Sequence, residues 1–242
     1  MIYKADQLEV RVYPDRTEMG RQAAAWAADG LRELLHGREV IHVVFAAAPS
    51  QDEFLEALCR EDLPWERIEA WHMDEYVGLA ADAAQRFSAY LDSHMFGWVP
   101  FRAVHYLTDP EAYARALQAC PPDAVCMGIG ENGHIAFNDP HVARFDDPET
   151  VKIVDLDEVC RTQQVHDGCF PTLDSVPRQA ATVTIPALLQ ARLISCVVPG
   201  PRKAEAVRRT VRGPVETACP ASILRRHPRA VLFCDKDSAS LL

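Results

Sequence analysis

The 242-residue chain has no run of about 18 apolar residues, so hydropathy offers no membrane-spanning helix. Residues 1–16, MIYKADQLEVRVYPDR, are polar and lack the apolar core of a signal peptide. No CxxC pair occurs among the eight cysteines at 59, 120, 126, 160, 169, 196, 219 and 234, and no other spacing fits a zinc site. Several of them sit inside apolar runs, such as Val125-Cys126-Met127 and Phe233-Cys234. They read as small core residues of a protein in the reducing cytoplasm. An excess of basic charge is missing as well: 25 Lys and Arg stand against 35 Asp and Glu, a net charge of −10. Such a surface repels a phosphate backbone and argues against a nucleic-acid partner, but a few local donors can still hold a small phosphorylated ligand. There are no internal repeats and no low-complexity linkers. Hydrophobic residues at 48% and charged residues at 25% match an ordinary globular chain, which excludes disorder. One domain over 1–242 is the expectation.

Helical and strand signals alternate along that domain. Asp15 and Glu18 have capping-box spacing, an apolar stripe through Trp26, Leu31, Leu34 and Leu35 follows, and Gly37 ends it. Strands are expected at 39–48, 67–72, 104–107, 124–129, 181–185, 193–198 and 230–234. Helices are expected at 50–59, 84–96, 109–119, 201–211 and 217–226. Short β-branched runs between helices predict an α/β fold: a Rossmann-like, doubly wound, mostly parallel sheet with helices on both faces. The stretch 138–178 is irregular, with scattered Asp, Pro, His and Gly, and reads either as a lid or as a solvated crossover.

Ligands of open α/β sheets bind at the carboxyl ends of strands. Three places qualify here: Ala46-Ala47-Ala48-Pro49-Ser50, Met73-Asp74-Glu75-Tyr76, and Gly130-Glu131-Asn132-Gly133-His134. A carboxylate at Asp74 can act as a general base, or it can be a capping or ion-paired acid. His134 on a glycine turn is a candidate proton shuttle, with Asp139 as the local carboxylate to orient it, or it is a hydrogen-bonded structural histidine. The 46–50 loop can present N–H groups to a phosphate, although it contains no glycine. Lys203, after Pro199-Gly200-Pro201-Arg202, would bring a cation to the same edge. Cations at a helix start are uncomfortable, which favours an anionic ligand there.

These residues carry a resemblance. Trp71 to Leu79 (WHMDEYVGL) resembles the MDEYVGL segment of glucosamine-6-phosphate deaminases, and Gly128 to Pro140 (GIGENGHIAFNDP) resembles their GIGxDGHIAFNEP segment. Val176-Pro177, Ala181 to Leu189, Gly200 to Lys203 and His227-Pro228 match in the same order, so the resemblance covers nearly the whole chain. The 6-phosphogluconolactonases of the same superfamily share the glycine-histidine turn but follow it with TASLFP, a poorer match.

The resemblance implies conversion of an amino-sugar 6-phosphate to fructose 6-phosphate and ammonia, with no metal and no cofactor. It implies that His134 assists ring opening, that Asp74 takes the C2 proton and returns it at C1, and that Asn132 and Asp139 support His134. It assigns phosphate binding to Ala47, Ala48, Ser50, Gly133 and Lys203. The family includes monomers and hexamers, so a homo-oligomer stays open alongside the sugar-phosphate ligand.

Several positions depart from the family pattern. Asn132 stands in place of aspartate and cannot carry charge. Asp139 stands in place of glutamate and is one methylene shorter. Ala47-Ala48 replaces a glycine-rich pair. The family carries a phosphate-binding arginine near Asp167, and only Arg161 is at hand, through a rearranged lid. No segment matches the allosteric phosphate site. Three functions therefore fit: deamination with isomerisation of glucosamine 6-phosphate or its galactosamine isomer; lactone hydrolysis or another sugar-phosphate isomerisation on the same scaffold; and a catalytically weak sugar-phosphate sensor.

Overall fold

A computed structural model describes residues 1–242. The central sheet has eight strands in the order β1-β2-β11-β10-β7-β3-β4-β6. Its strands are β1 (Ile2–Ala5), β2 (Leu8–Tyr13), β3 (Ile41–Phe45), β4 (Ile68–His72), β6 (Ala103–His105), β7 (Ala124–Met127), β10 (Leu193–Val198) and β11 (Ala230–Asp235). All neighbours run parallel except the β1–β2 hairpin. Both faces of the central strands β3, β4, β7, β10 and β11 are largely buried, and successive side chains enter opposite cores. Val43 and Phe45 join one cluster with α1 (Arg16–Leu35) and α2 (Asp52–Cys59), while Val44 joins the other with α4 (Pro110–Ala119) and α7 (Ala204–Arg212). The expected doubly wound architecture is therefore present.

The chain winds outward in two directions from the centre. From β3 it proceeds to β4 and β6; from β7 it proceeds to β10 and β11. The switch point lies between β3 and β7, so the loops after these two strands diverge and leave a crevice between them. Lys203 follows β10 beside β7, and Asp74 follows β4 beside β3.

The structure departs from the expectation in several places, beginning with the β1–β2 hairpin, where no strand is expected. A second, antiparallel sheet is made of β5 (Asp74–Tyr76), β9 (Gln179–Val183) and β8 (Val151–Asp155). Asp74 is thus the first residue of a new strand and does not end the preceding one, and the run near 181–185 belongs to this small sheet. The 138–178 segment is more ordered than its composition suggested: it holds β8 and α5 (Glu158–His166). The expected helix at 84–96 begins only at α3 (Phe87–Leu91) and continues as a π-turn over Asp92–Phe96, and the one at 217–226 is a 3₁₀ segment over Pro220–Arg226. The short α6 (Ile185–Leu189) follows β9.

Candidate active site

A cleft with an empty volume of about 500 Å³ opens at the switch point, walled by Ala46–Ala48, Ser50, Gln51, Met73, Asp74, Phe87, Gly128–Gly130, His134, Ala136, Phe137, Gln163, Gln164 and Lys203. Its floor is fixed by backbone requirements. A Cβ on Gly130 would stand 2.1 Å from His134 Cε1, so the imidazole lies directly over this glycine. Gly133 has φ +92°, a region that an L side chain rarely adopts, and it closes the turn through its N–H to Gly130 O at 3.0 Å. Beyond the histidine, the fully buried Asn138 donates from Nδ2 to Ile135 O (3.0 Å) and Val183 O (2.9 Å), and Thr182 Oγ1 accepts from Phe137 N–H at 3.0 Å. The second sheet thereby pins the segment that carries His134. Ala136 is held at φ +47°, a strained non-glycine conformation on the wall of the cleft.

Asp74 and Glu75 have opposite environments. Glu75 accepts from the N–H groups of Tyr76, Phe87 and Ser88, from Ser88 Oγ at 2.8 Å and from Arg86 Nε at 3.3 Å. It starts α3 and has no capacity left for a substrate. Asp74 is buried and lines the cleft, and its carboxyl takes no hydrogen bond from any protein group. Burial, reinforced by neighbouring Glu75, pushes its carboxyl well above the ordinary carboxylate value. A group in this state is a strong base once ionised.

His134 is backed by a network that lies behind the cleft wall. Its Nδ1 is 2.9 Å from Asp139 Oδ1, a short but oblique contact. Asp139 is fully buried and also accepts from Asn132 Nδ2 at 3.0 Å and from Asp157 N–H at 3.2 Å. Burial alone would raise the Asp139 carboxyl, but these donors hold it below its ordinary value. A histidine with its Nδ1 side so occupied presents Nε2 for proton transfer. Cys160, His134 and Asp139 bring ligand atoms within 4.8 Å of one another. Burial pushes the Cys160 thiol well above its ordinary value.

The opposite end of the cleft suits an anion. No protein group accepts the N–H of Ala47 or Ala48, and the 3₁₀ turn Pro49–Gln51 leads directly into α2. Lys203 is 6% exposed, and burial lowers the pKa of its ammonium. It has no ion-pair partner, since neighbouring Arg202 takes Glu131 at 3.1 Å and Asp167 at 3.5 Å. A buried cation in a cleft wall with no carboxylate in ion-pair contact is an incomplete anion site.

Ala47, Ala48, Ser50, Asp74, His134 and Lys203 therefore line one cleft, with Asn132 and Asp139 behind His134. Two of the expected site residues lie outside the cleft wall. Arg161 does not reach the cleft: it lies on the buried side of α5 and donates to Leu173 O (2.6 Å) and Val176 O (3.1 Å), anchoring the following loop. Gly133 does not contact the cleft either, because its N–H is used within the turn and the site of its missing Cβ faces Cys219 Sγ at 2.8 Å. Instead, α5 contributes two uncharged amides, Gln163 and Gln164. Gln163 Oε1 accepts from Glu131 N–H and Gln164 Oε1 from Tyr76 Oη, both at 2.8 Å. These glutamines, Gln51 and Asp157 were not foreseen. Asp157 alone carried a signal, as an acid at N-cap distance before a helical stretch.

Residues 14–233 match the family described as glucosamine-6-phosphate isomerases/6-phosphogluconolactonase. The chain is 30% identical to a glucosamine-6-phosphate deaminase of Lactobacillus delbrueckii over 97% of its own length and 100% of the relative's. It is 32% identical to one from Rhodopirellula baltica, covering 97% of this chain and 96% of that one. A solved monomeric glucosamine-6-phosphate deaminase superposes with a TM-score of 0.86 at 27% identity, over 96% of this chain and 99% of the other. The 6-phosphogluconolactonase of Thermotoga maritima shares the fold, with a TM-score of 0.75 at 20% identity over 94% and 99% of the two chains. By the family match and by relatives similar over nearly their whole length, this chain belongs to the glucosamine-6-phosphate isomerase/6-phosphogluconolactonase family.

Proposed function

We propose that the protein isomerises and deaminates an amino-sugar 6-phosphate, glucosamine 6-phosphate or its galactosamine isomer, giving a ketose 6-phosphate and ammonia. The observation that carries this reading is the buried, unpartnered Asp74 carboxyl facing the same cleft as the His134–Asp139 pair. An aldose-to-ketose shift needs one base over two adjacent carbons and one acid–base group near the ring oxygen. The phosphate occupies the Ala47–Ser50 loop and Lys203. His134 carries the proton to the ring oxygen as the C1–O5 bond opens to the aldehyde. Asp74 removes the C2 proton to give an enolamine and delivers it to C1. The resulting C2 imine takes up water and releases ammonia, so atoms balance as sugar phosphate plus water in, ketose phosphate plus ammonia out.

The match of motifs beyond His134 and the relatives at 30–32% identity favour deamination over lactone hydrolysis. Ammonia release is the direct test, using purified protein with glucosamine 6-phosphate and, separately, galactosamine 6-phosphate. Turnover of at least about one per second on either sugar is expected, near the low end of ordinary enzymes. Sugar-phosphate binding without ammonia would favour a sensor and overturn the proposal.

A further inference from the structure

Asn132 joins the catalytic cleft to the lid. Its Nδ2 donates at 3.0 Å both to Asp139 Oδ1 and to Asp157 Oδ2, and its Oδ1 accepts from His134 N–H at 3.0 Å. Only one amide orientation satisfies all three contacts, so the network itself fixes the side chain. Asp157 is the N-cap of α5: its Oδ1 accepts from Cys160 N–H at 2.6 Å, and its own N–H donates to Asp139 Oδ2 at 3.2 Å. One carboxyl thus starts the helix that brings Gln163 and Gln164 to the cleft, while its other oxygen reaches His134 through Asn132 and Asp139.

We propose that Asp157 is a positioning residue for His134, and that Asn132 is the neutral bridge that allows Asp139 and Asp157 to share one site. The proposal rests on the reading of His134 as the proton carrier. Two carboxyls accept from one amide here, so an aspartate at 132 would remove the shared donor and place a third carboxyl between them. Like groups at that distance cannot all ionise, and one must take a proton or move. Asn132 is therefore a requirement of Asp157. The pair also links lid order to catalysis: His134 is held in place when the first turn of α5 is formed.

The test is a double-mutant cycle with Asn132→Asp and Asp157→Asn. Asparagine caps helices as well as aspartate does, so Asp157→Asn keeps the start of α5. In the parent, Asp157→Asn sets two amide donors against each other, and kcat/KM falls about tenfold, within the range for coupled neighbours. Asn132→Asp lowers it about 100-fold by displacing His134. In the Asn132→Asp background, Asp157→Asn removes one of the three carboxyls and gives the carboxyl at 132 a donor on its Asp157 side, and it raises kcat/KM at least about tenfold. The sign of the Asp157→Asn effect thus reverses with the residue at 132. The imidazole ¹⁵N resonances of His134, read at fixed pH without substrate, move in both single variants and return toward the parent in the double variant.

A loss by the same factor in both backgrounds overturns the proposal, as do His134 resonances unchanged by Asp157→Asn. If the parent releases no ammonia, the functional reading falls and the resonances alone decide the coupling. If Asn132→Asp does not fold, Asp157→Asn in the parent decides it by the same resonances.

Discussion

Asp74→Asn is expected to cut kcat by at least about 10³-fold while making the protein more stable at neutral pH. Turnover is lost because asparagine cannot accept the C2 proton, although it keeps the shape of the cleft. The stability gain follows from the environment of the carboxyl. Burial, with neighbouring Glu75 adding to it, raises the folded-state value above the unfolded one. Between those two values the folded protein binds more protons than the unfolded chain, so stability falls as pH rises through the window. Below the unfolded value Asp74 is protonated in both states and costs nothing. A neutral amide removes the penalty, so the melting temperature should rise at pH 7–8 and converge with the parent near pH 3. Each 1 kcal/mol gained corresponds to roughly 2–4 °C for a chain of this size. In the parent, the acid limb of kcat/KM should lie above the ordinary carboxylate range. Full activity in Asp74→Asn would remove Asp74 from the mechanism.

Lys203→Met is expected to raise KM for the phosphorylated amino sugar by about 10²–10³-fold, with a smaller effect on kcat. No carboxylate is in ion-pair contact with the buried ammonium, and Asp167 and Glu131 act on it only from farther off, so a bound anion completes the site. Lys203 also carries a folding cost. Burial lowers its folded-state value, so its contribution is unfavourable below that value and the loss is recovered as pH rises toward the unfolded one. The methionine variant should therefore be at least as stable as the parent at pH 7. The specific readout is affinity for the same amino sugar without phosphate, which Lys203→Met should leave unchanged. Equal losses for both sugars would mean that Lys203 shapes the cleft and does not hold an anion.

The cleft was legible in the sequence where chemistry and backbone punctuation coincide. Gly130 and His134 stand together because the ring must pass over a residue with no Cβ. Asp74, Lys203 and the 46–50 loop were found by one rule, that parallel strands deliver their ligands at their carboxyl ends. The helix α5 was hidden because it breaks the periodicity rule. The buried positions of α5 are Cys160, Arg161, Gln163 and Gln164, so no apolar stripe marks it. Arg161, offered as a phosphate ligand through a rearranged lid, has its guanidinium turned inward onto backbone carbonyls. The β1–β2 hairpin has the period-two pattern LEVRVY but no Asn-Gly or Asp-Gly turn; Asp6 supplies the left-handed residue instead, at φ +52°. The second sheet escaped notice because β5 follows β4 after a single residue, and nothing in MDEY marks a change of sheet.

The central claim is that Asp74 moves a proton from C2 to C1. The most direct measurement is the reaction in heavy water, followed by NMR of the ketose 6-phosphate released alongside ammonia. A single base open to solvent exchange predicts deuterium at C1 of the product, with no product formed by Asp74→Asn. Lactone hydrolysis involves no carbon protonation. Product with no deuterium at C1 under conditions where the base exchanges with solvent, or labelled product from Asp74→Asn at the parent's rate, would contradict the account.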